Sequence, residues 1–197
     1  MSAPPAGPLL LASSSPQRRA ILEQLGLPFD VLAPKYEERS AAGADPVALV
    51  REHAVGKARS VADEAGDRPV VGVDTAVVLG RRVYGKPATP GEAEAMLEAL
   101  GGKTHEVVSG LCLRTPGWEE VAHETTRVTF RPLAARDLGR YIVSGEWEGR
   151  AGAYAIQGRG AALVERVEGD YLNVVGLPAG LLVRLLAERF AGVYGFG

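Results

Sequence analysis

The sequence predicts a mixed α/β fold, on three observations. Short apolar runs alternate with segments of helical periodicity. Three of those helical segments open on Ser, Asp or Thr followed by Pro, at Ser15-Pro16, Asp45-Pro46 and Thr89-Pro90. Such pairs combine a capping side chain with a residue whose missing N–H costs nothing at the first helical position. Residues 70–79 form a nearly continuous apolar run, as a buried strand does, with Asp74 in its middle.

Residues 9–12 read as a strand that turns sharply at Ser15-Pro16 into a helix striped by Ile21, Leu22 and Leu25 and stopped at Gly26. A second strand is expected at 29–33, then Glu37-Glu38 and a Ser/Ala/Gly-rich loop. Val47, Val50, Ala54, Ala58 and Val61 share one face of the helix begun at Asp45-Pro46, and Lys57 lies on the edge of that face. Thr89-Pro90-Gly91-Glu92 is a capping box before Ala93, Met96, Leu97 and Leu100. Residues 104–113 and 121–130 read as long antiparallel strands joined through Pro116-Gly117. A helix is expected after Pro132, a strand at 161–167 and a closing helix through Leu181, Leu182, Leu185 and Leu186. No internal repeat is visible.

The 197 residues, 46% of them hydrophobic, suit a single domain or two tightly packed lobes, with 1–8 and 192–197 loosely ordered. A formal net charge of −2 gives no general attraction for nucleic acid polymers. The lone Cys112 offers neither an intramolecular disulfide nor a zinc ribbon. No leader and no apolar run of roughly 18 residues is present, so the expectation is a cytoplasmic protein without membrane contact.

Chemistry is suggested at several positions. Arg18 and Arg19 stand in the first turn of a helix, whose unpaired N–H groups already favour an anion, and Ser13, Ser14 and Ser15 add donors. Either a phosphate joins them or one arginine extends into solvent. Asp74 needs a reason to be buried: a turn cap, a general base or a ligand for a hard cation such as Mg²⁺. Lys57 either snorkels at the core boundary or meets a partner. Lys86 is a phosphate contact or a solvent-facing loop lysine; the P-loop-like run around it fails at Pro87. Gln157 reads a base edge or bonds to backbone. His53, His105 and His123 are dispersed without metal-ligand spacing and read as isolated histidines. No Gly-x-Ser-x-Gly elbow or dinucleotide-binding glycine turn is present.

Taken together, Leu11-Ala12-Ser13-Ser14-Ser15-Pro16-Gln17-Arg18-Arg19, Glu37-Glu38, Lys57, Gly72-Val73-Asp74-Thr75, Gly85-Lys86-Pro87, Gly101-Gly102-Lys103-Thr104-His105, the glycine-rich 152–160 with Gln157, and Gly169-Asp170-Tyr171 through Gly176-Leu177-Pro178 resemble the Maf family of nucleoside-triphosphate pyrophosphatases. The resemblance runs from Leu10 to about Leu186. It implies a two-lobed mixed-sheet fold similar to inosine-triphosphate pyrophosphatases, a cleft between the lobes and a homodimer. It also implies Asp74 as catalytic proton acceptor, with Ser13, Gln17, Arg18, Glu38, Lys57, Thr75, Lys86 and Gln157 around the nucleotide. Two positions depart from the family pattern: Gln17 replaces the usual Arg after Ser-Pro, and Gly149-Arg150 replaces Asp-Lys. Gln157 resembles the pyrimidine-triphosphate subgroup.

The expected reaction releases pyrophosphate and a nucleoside monophosphate. Mg²⁺ held by Glu38 and Asp74 would position water at the α-phosphorus, and Arg18, Lys57 and Lys86 would offset phosphate charge. The alternative is a nucleotide-sensing regulator of cell division without turnover.

Overall fold

A computed structural model describes residues 7–38 and 43–196. The expected loop after Glu38 therefore falls in part, at 39–42, outside the described residues, as do 1–6 and 197. A seven-stranded mixed sheet runs β2-β1-β3-β5-β6-β7, with the short β4 paired to β3. Its strands are β1 (Leu9–Ala12), β2 (Phe29–Leu32), β3 (Val70–Leu79), β4 (Arg82–Tyr84), β5 (Thr104–Thr115), β6 (Trp118–Phe130) and β7 (Val164–Glu168). β1 is parallel to β2 and β3, whereas β3, β5, β6 and β7 form antiparallel pairs.

The helices are α1 (Pro16–Gln24), α2 (Pro46–Arg59), α3 (Ala62–Ala65), α4 (Pro90–Leu100), α5 (Ala135–Val143), α6 (Tyr171–Val175) and α7 (Ala179–Phe190). The three expected caps form: Ser15, Asp45 and Thr89 accept from the backbone N–H of Arg18, Ala48 and Glu92. None of the helices among the described residues is long and apolar enough to cross a membrane.

Alternation along the strands sorts the core. Leu9, Leu11, Val71, Val73, Leu111 and Leu113 pack under α1 and α7. Leu10, Ala12, Val70 and Cys112 face Ala54 and Ala58 of α2. A further cluster built on Val77, Leu97, Phe130, Leu138, Trp147 and Tyr154 fills the α4–α5 side. These separate clusters along one sheet, with the α1–α7 side and the α4–α5 side each holding its own, give the expected pair of lobes.

Helix α2 lies unusually close to the sheet. A Cβ on Gly72 would stand 2.2 Å from the Ala54 carbonyl oxygen, and one on Gly110 would stand 2.2 Å from that of Val50. Both glycines are on the α2 side: Gly72 lies two residues before Asp74 on β3, and Gly110 lies opposite Asp74 on β5. Their missing side chains let the helix settle onto the strand that carries Asp74.

One expected boundary needs correction, and one element was not foreseen. The strand placed at 161–167 starts only at Val164, because Arg159–Leu163 is a 3₁₀ turn. Gly160 there has no room for a Cβ, which would meet the Ala155 carbonyl oxygen at 2.5 Å, so the turn folds back on the preceding loop. The short helix α6, capped by Asp170 through the N–H groups of Leu172 and Asn173, was not expected as an element. Within the tail, Tyr194 is buried against Phe190 and its hydroxyl donates to the Gly7 carbonyl at 3.2 Å.

Candidate active site

β1 pairs with β3 as far as Ala12 and Gly72, and β4 takes up the same edge only from Val77, so between those points β3 presents an unpaired edge. Asp74 and Thr75 are the second and third residues past Gly72. Successive strand side chains leave on opposite faces, so Asp74 turns toward α2 and Thr75 toward α1 and α6.

On the α2 face, His53 and Lys57 are one turn apart and therefore stacked. The Lys57 Nζ donates to Asp74 Oδ1 at 2.5 Å and pairs with Glu38 Oε1 at 2.6 Å. His53 Nδ1 is 3.1 Å from Asp74 Oδ2, and its ring packs tilted against Tyr36, centroids 5.8 Å apart. His53, Lys57 and Asp74 are all buried. Burial makes such pairing obligatory, because an ionised group left alone there would forfeit several kcal/mol of solvation. The snorkelling account of Lys57 is thereby overturned: its ammonium ends between two carboxylates.

On the other face, Arg18 donates through Nε to the Gly176 carbonyl at 2.8 Å, through Nη1 to Ser13 Oγ at 3.2 Å and through Nη2 to Thr75 Oγ1 at 3.3 Å. Thr75 Oγ1 also meets Ser109 Oγ at 2.8 Å. Burial pulls the Arg18 pKa down, and the charges of Asp74 and Glu38 oppose that shift. Arg19 is exposed, as one branch of the sequence reading allowed.

A cleft of about 380 Å³ opens between these elements, lined by Ser13, Gln17, Arg18, Glu38, Lys57 and Lys86 among others. Lys86 and Gly149 come from the second lobe and the β1–α1 turn from the first, so the cleft lies between lobes as expected. Asp74 and Thr75 line an adjoining depression that shares Glu38. Gln157 is exposed and is not in the main cleft; it lines a neighbouring pocket of about 230 Å³ that meets the cleft at Gln17. Gln17 itself is tied to the turn, its Oε1 accepting from the Ser15 hydroxyl at 3.1 Å.

The sequence reading missed His53. Far from isolated, it forms with Glu38 and Asp74 a group whose ligand atoms all lie within 4.8 Å of one another. The signal was present in its position four residues before Lys57, on the face shared with Val50 and Ala54. His105 fits the isolated reading better: it is buried, with Nε2 3.0 Å from the Tyr154 hydroxyl and its ring edge-on to Phe130.

Chemically, the cleft offers serine hydroxyls, a helix start, a guanidinium and two ammonium groups to an anion. Beside them sit two carboxylates and an imidazole able to accept a proton or hold a cation.

Residues 8–189 match the family described as Maf-like protein. A relative from Deinococcus radiodurans named dTTP/UTP pyrophosphatase is 45% identical over the full length of both chains, 197 residues here. Relatives of the same name from Gloeobacter violaceus and Nitratidesulfovibrio vulgaris are each 46% identical, covering 91% and 94% of this chain and 95% and 90% of their own. The solved Staphylococcus aureus Ham1 protein overlays 62% of this chain and 71% of its own, with a TM-score of 0.45 and 15% identity. That last overlap is too slight to bear on chemistry. The match across nearly the whole chain and the full-length relatives place this chain in the Maf-like protein family.

Proposed function

We propose that this chain is a nucleoside-triphosphate pyrophosphatase that hydrolyses dTTP or UTP to the nucleoside monophosphate and pyrophosphate. The observation that carries the reading is the Asp74 carboxylate, gripped by Lys57 at the edge of a cleft whose other polar groups suit phosphates. The shared name of the full-length relatives supports both the reaction and the pyrimidine substrates.

The triphosphate enters with its phosphates toward the β1–α1 turn, where Ser13 and the N–H groups at the start of α1 receive oxygens. Arg18, fixed by Gly176, Ser13 and Thr75, presents a positive charge that needs no reorganisation as the transition state forms. Lys57 and Lys86 flank the same cleft and offset charge on the departing pyrophosphate. Asp74 takes the proton of the attacking water, whose oxygen bonds to the α-phosphorus as the α–β bridging bond breaks. Gln17 and Gln157, which share the neighbouring pocket, stand where the base edge is read.

The acidic groups fit a divalent cation: Glu38 and Asp74 already enclose one positive charge, the Lys57 ammonium. When bound, such an ion, Mg²⁺ or a similar cation, supplies Lewis-acid charge at the phosphate oxygens. A cytoplasmic location belongs to the same reading, which the single free cysteine, Cys112, suits because the chain needs no disulfide.

The test is a panel of triphosphates incubated with the protein and a divalent cation, with products resolved by ion-exchange chromatography. Pyrophosphate and monophosphate are expected, fastest from dTTP or UTP. Release of orthophosphate rejects attack at the α-phosphorus, binding without any product favours a nucleotide sensor, and full turnover by Asp74→Asn rejects its role as base.

A further inference from the structure

The mechanism leaves His53, a buried side chain beside Asp74, without a task. His53 reaches the Glu38–Asp74 pair from α2, and no step above uses it. Its Nδ1 stands 3.1 Å from Asp74 Oδ2. Two donors at about 2.1 Å from one ion and at right angles to each other stand about 3.0 Å apart, so this spacing is already that of neighbouring ligands. The third donor, from Glu38, belongs to a set whose atoms all fall within 4.8 Å. Its side chain is 52% exposed, which leaves it room to follow an ion inward.

A positive charge already bridges the two carboxylates of this group. Lys57 Nζ lies 2.6 Å from Glu38 Oε1 and 2.5 Å from Asp74 Oδ1. A cation entering there replaces the ammonium at those oxygens. Lys57 also lines the phosphate cleft, so the displaced ammonium has substrate anions to meet on that side.

The donor chemistry then selects the ion. Mg²⁺ favours oxygen ligands and holds its water tightly, whereas imidazole nitrogen suits transition metals, whose affinities rise from Mn²⁺ toward Co²⁺ and Ni²⁺. We infer that Glu38, His53 and Asp74 form a mixed oxygen–nitrogen cation site in which His53 shifts preference from Mg²⁺ toward transition-metal dications. The inference rests on the cation position assigned above to Glu38 and Asp74, and extends it by a ligand and a metal class.

Binding is measured on the full chain without nucleotide, by calorimetry with CoCl₂ and with MgCl₂. The wild-type protein is expected to bind Co²⁺ at one site at least about tenfold more tightly than Mg²⁺. His53→Leu should lose about tenfold or more in Co²⁺ affinity while its Mg²⁺ affinity stays within about twofold. Electron spin echo modulation of Mn²⁺ bound to the wild-type chain should show a directly coordinated imidazole nitrogen. This readout remains decisive where His53→Leu fails to fold. No nitrogen coupling, equal affinity for Co²⁺ and Mg²⁺, or unchanged Co²⁺ binding in His53→Leu overturns the inference. Pyrophosphate release with Mg²⁺ but no nitrogen coupling would leave the proposed reaction standing and remove this site. Nitrogen coupling without pyrophosphate release under any cation would do the reverse.

Discussion

Lys57 donates to Asp74 Oδ1 at 2.5 Å while its ammonium also closes on Glu38, so one buried cation keeps two carboxylates together. Removing that charge leaves Glu38 and Asp74 facing each other with nothing between them. Lys57→Met keeps the aliphatic length and deletes the ammonium. It is expected to destabilise the fold by roughly 3 kcal/mol, the cost of breaking a buried pair, and to lower turnover at least a hundredfold. Thermal melting with added divalent cation checks the cause: the variant should gain more than the wild type, because the ion restores the missing charge.

Arg18 holds Gly176, Ser13 and Thr75 with three arms of one planar group. Lysine cannot reproduce that fork. Arg18→Lys is expected to lose about 2 kcal/mol of stability through the carbonyl contact alone. KM for the triphosphate should rise at least tenfold. Denaturant melts and initial-rate kinetics read the two effects separately.

Gly110 has no room for a methyl group, since its Cβ would stand 2.2 Å from the Val50 carbonyl oxygen. Gly110→Ala should push α2 off the sheet at a cost of about 2 kcal/mol, lowering Tm by roughly 4–8 °C. Because α2 carries Lys57 and His53, kcat should fall well beyond what the lost stability explains at a temperature where the variant remains folded. Gly91→Ala, at a position with open space, is the control and should change neither.

His105 is buried and its pKa is pulled down to about 4 from 6.5 by loss of solvent. Between pH 6.5 and 4 the unfolded chain therefore takes up a proton that the folded chain refuses. Stability from this residue is fully present above pH 6.5 and drains away as pH falls through that window, by up to about 3 kcal/mol. Urea melts of wild type and His105→Gln from pH 7.5 to 5 should converge at the acidic end, since only the wild type carries this term.

Much of the fold was legible because its signals are local. Ser15-Pro16, Asp45-Pro46 and Thr89-Pro90 state where helices begin, and each cap forms as the chemistry demands. The buried acid in β3 advertised itself by contrast with its neighbours. What escaped was set by distance along the chain. His53 looks isolated because Asp74, its partner, is 21 residues away, and only the approach of α2 to β3 joins them. The fate of Arg18 depended on Gly176, 158 residues on, where α6 ends. Part of the setting of Tyr194, the bond to the Gly7 carbonyl, comes from the far end of the chain. Gln157 was placed among the residues around the nucleotide by its motif, and the glycine-rich loop carries it to a neighbouring pocket rather than to the main cleft.

The two notches at Gly72 and Gly110 also bear on how such a protein can change over generations. They fix the depth of α2, and hence the seats of Lys57 and His53, from positions outside the cleft. Gln17 and Gln157, the residues assigned to the base, are half-exposed and exposed at the rim. Mutational tolerance should therefore be lowest on the sheet floor beneath the helix and highest at the rim. A lineage can retune which base it accepts while the apparatus that breaks the phosphoanhydride stays untouched.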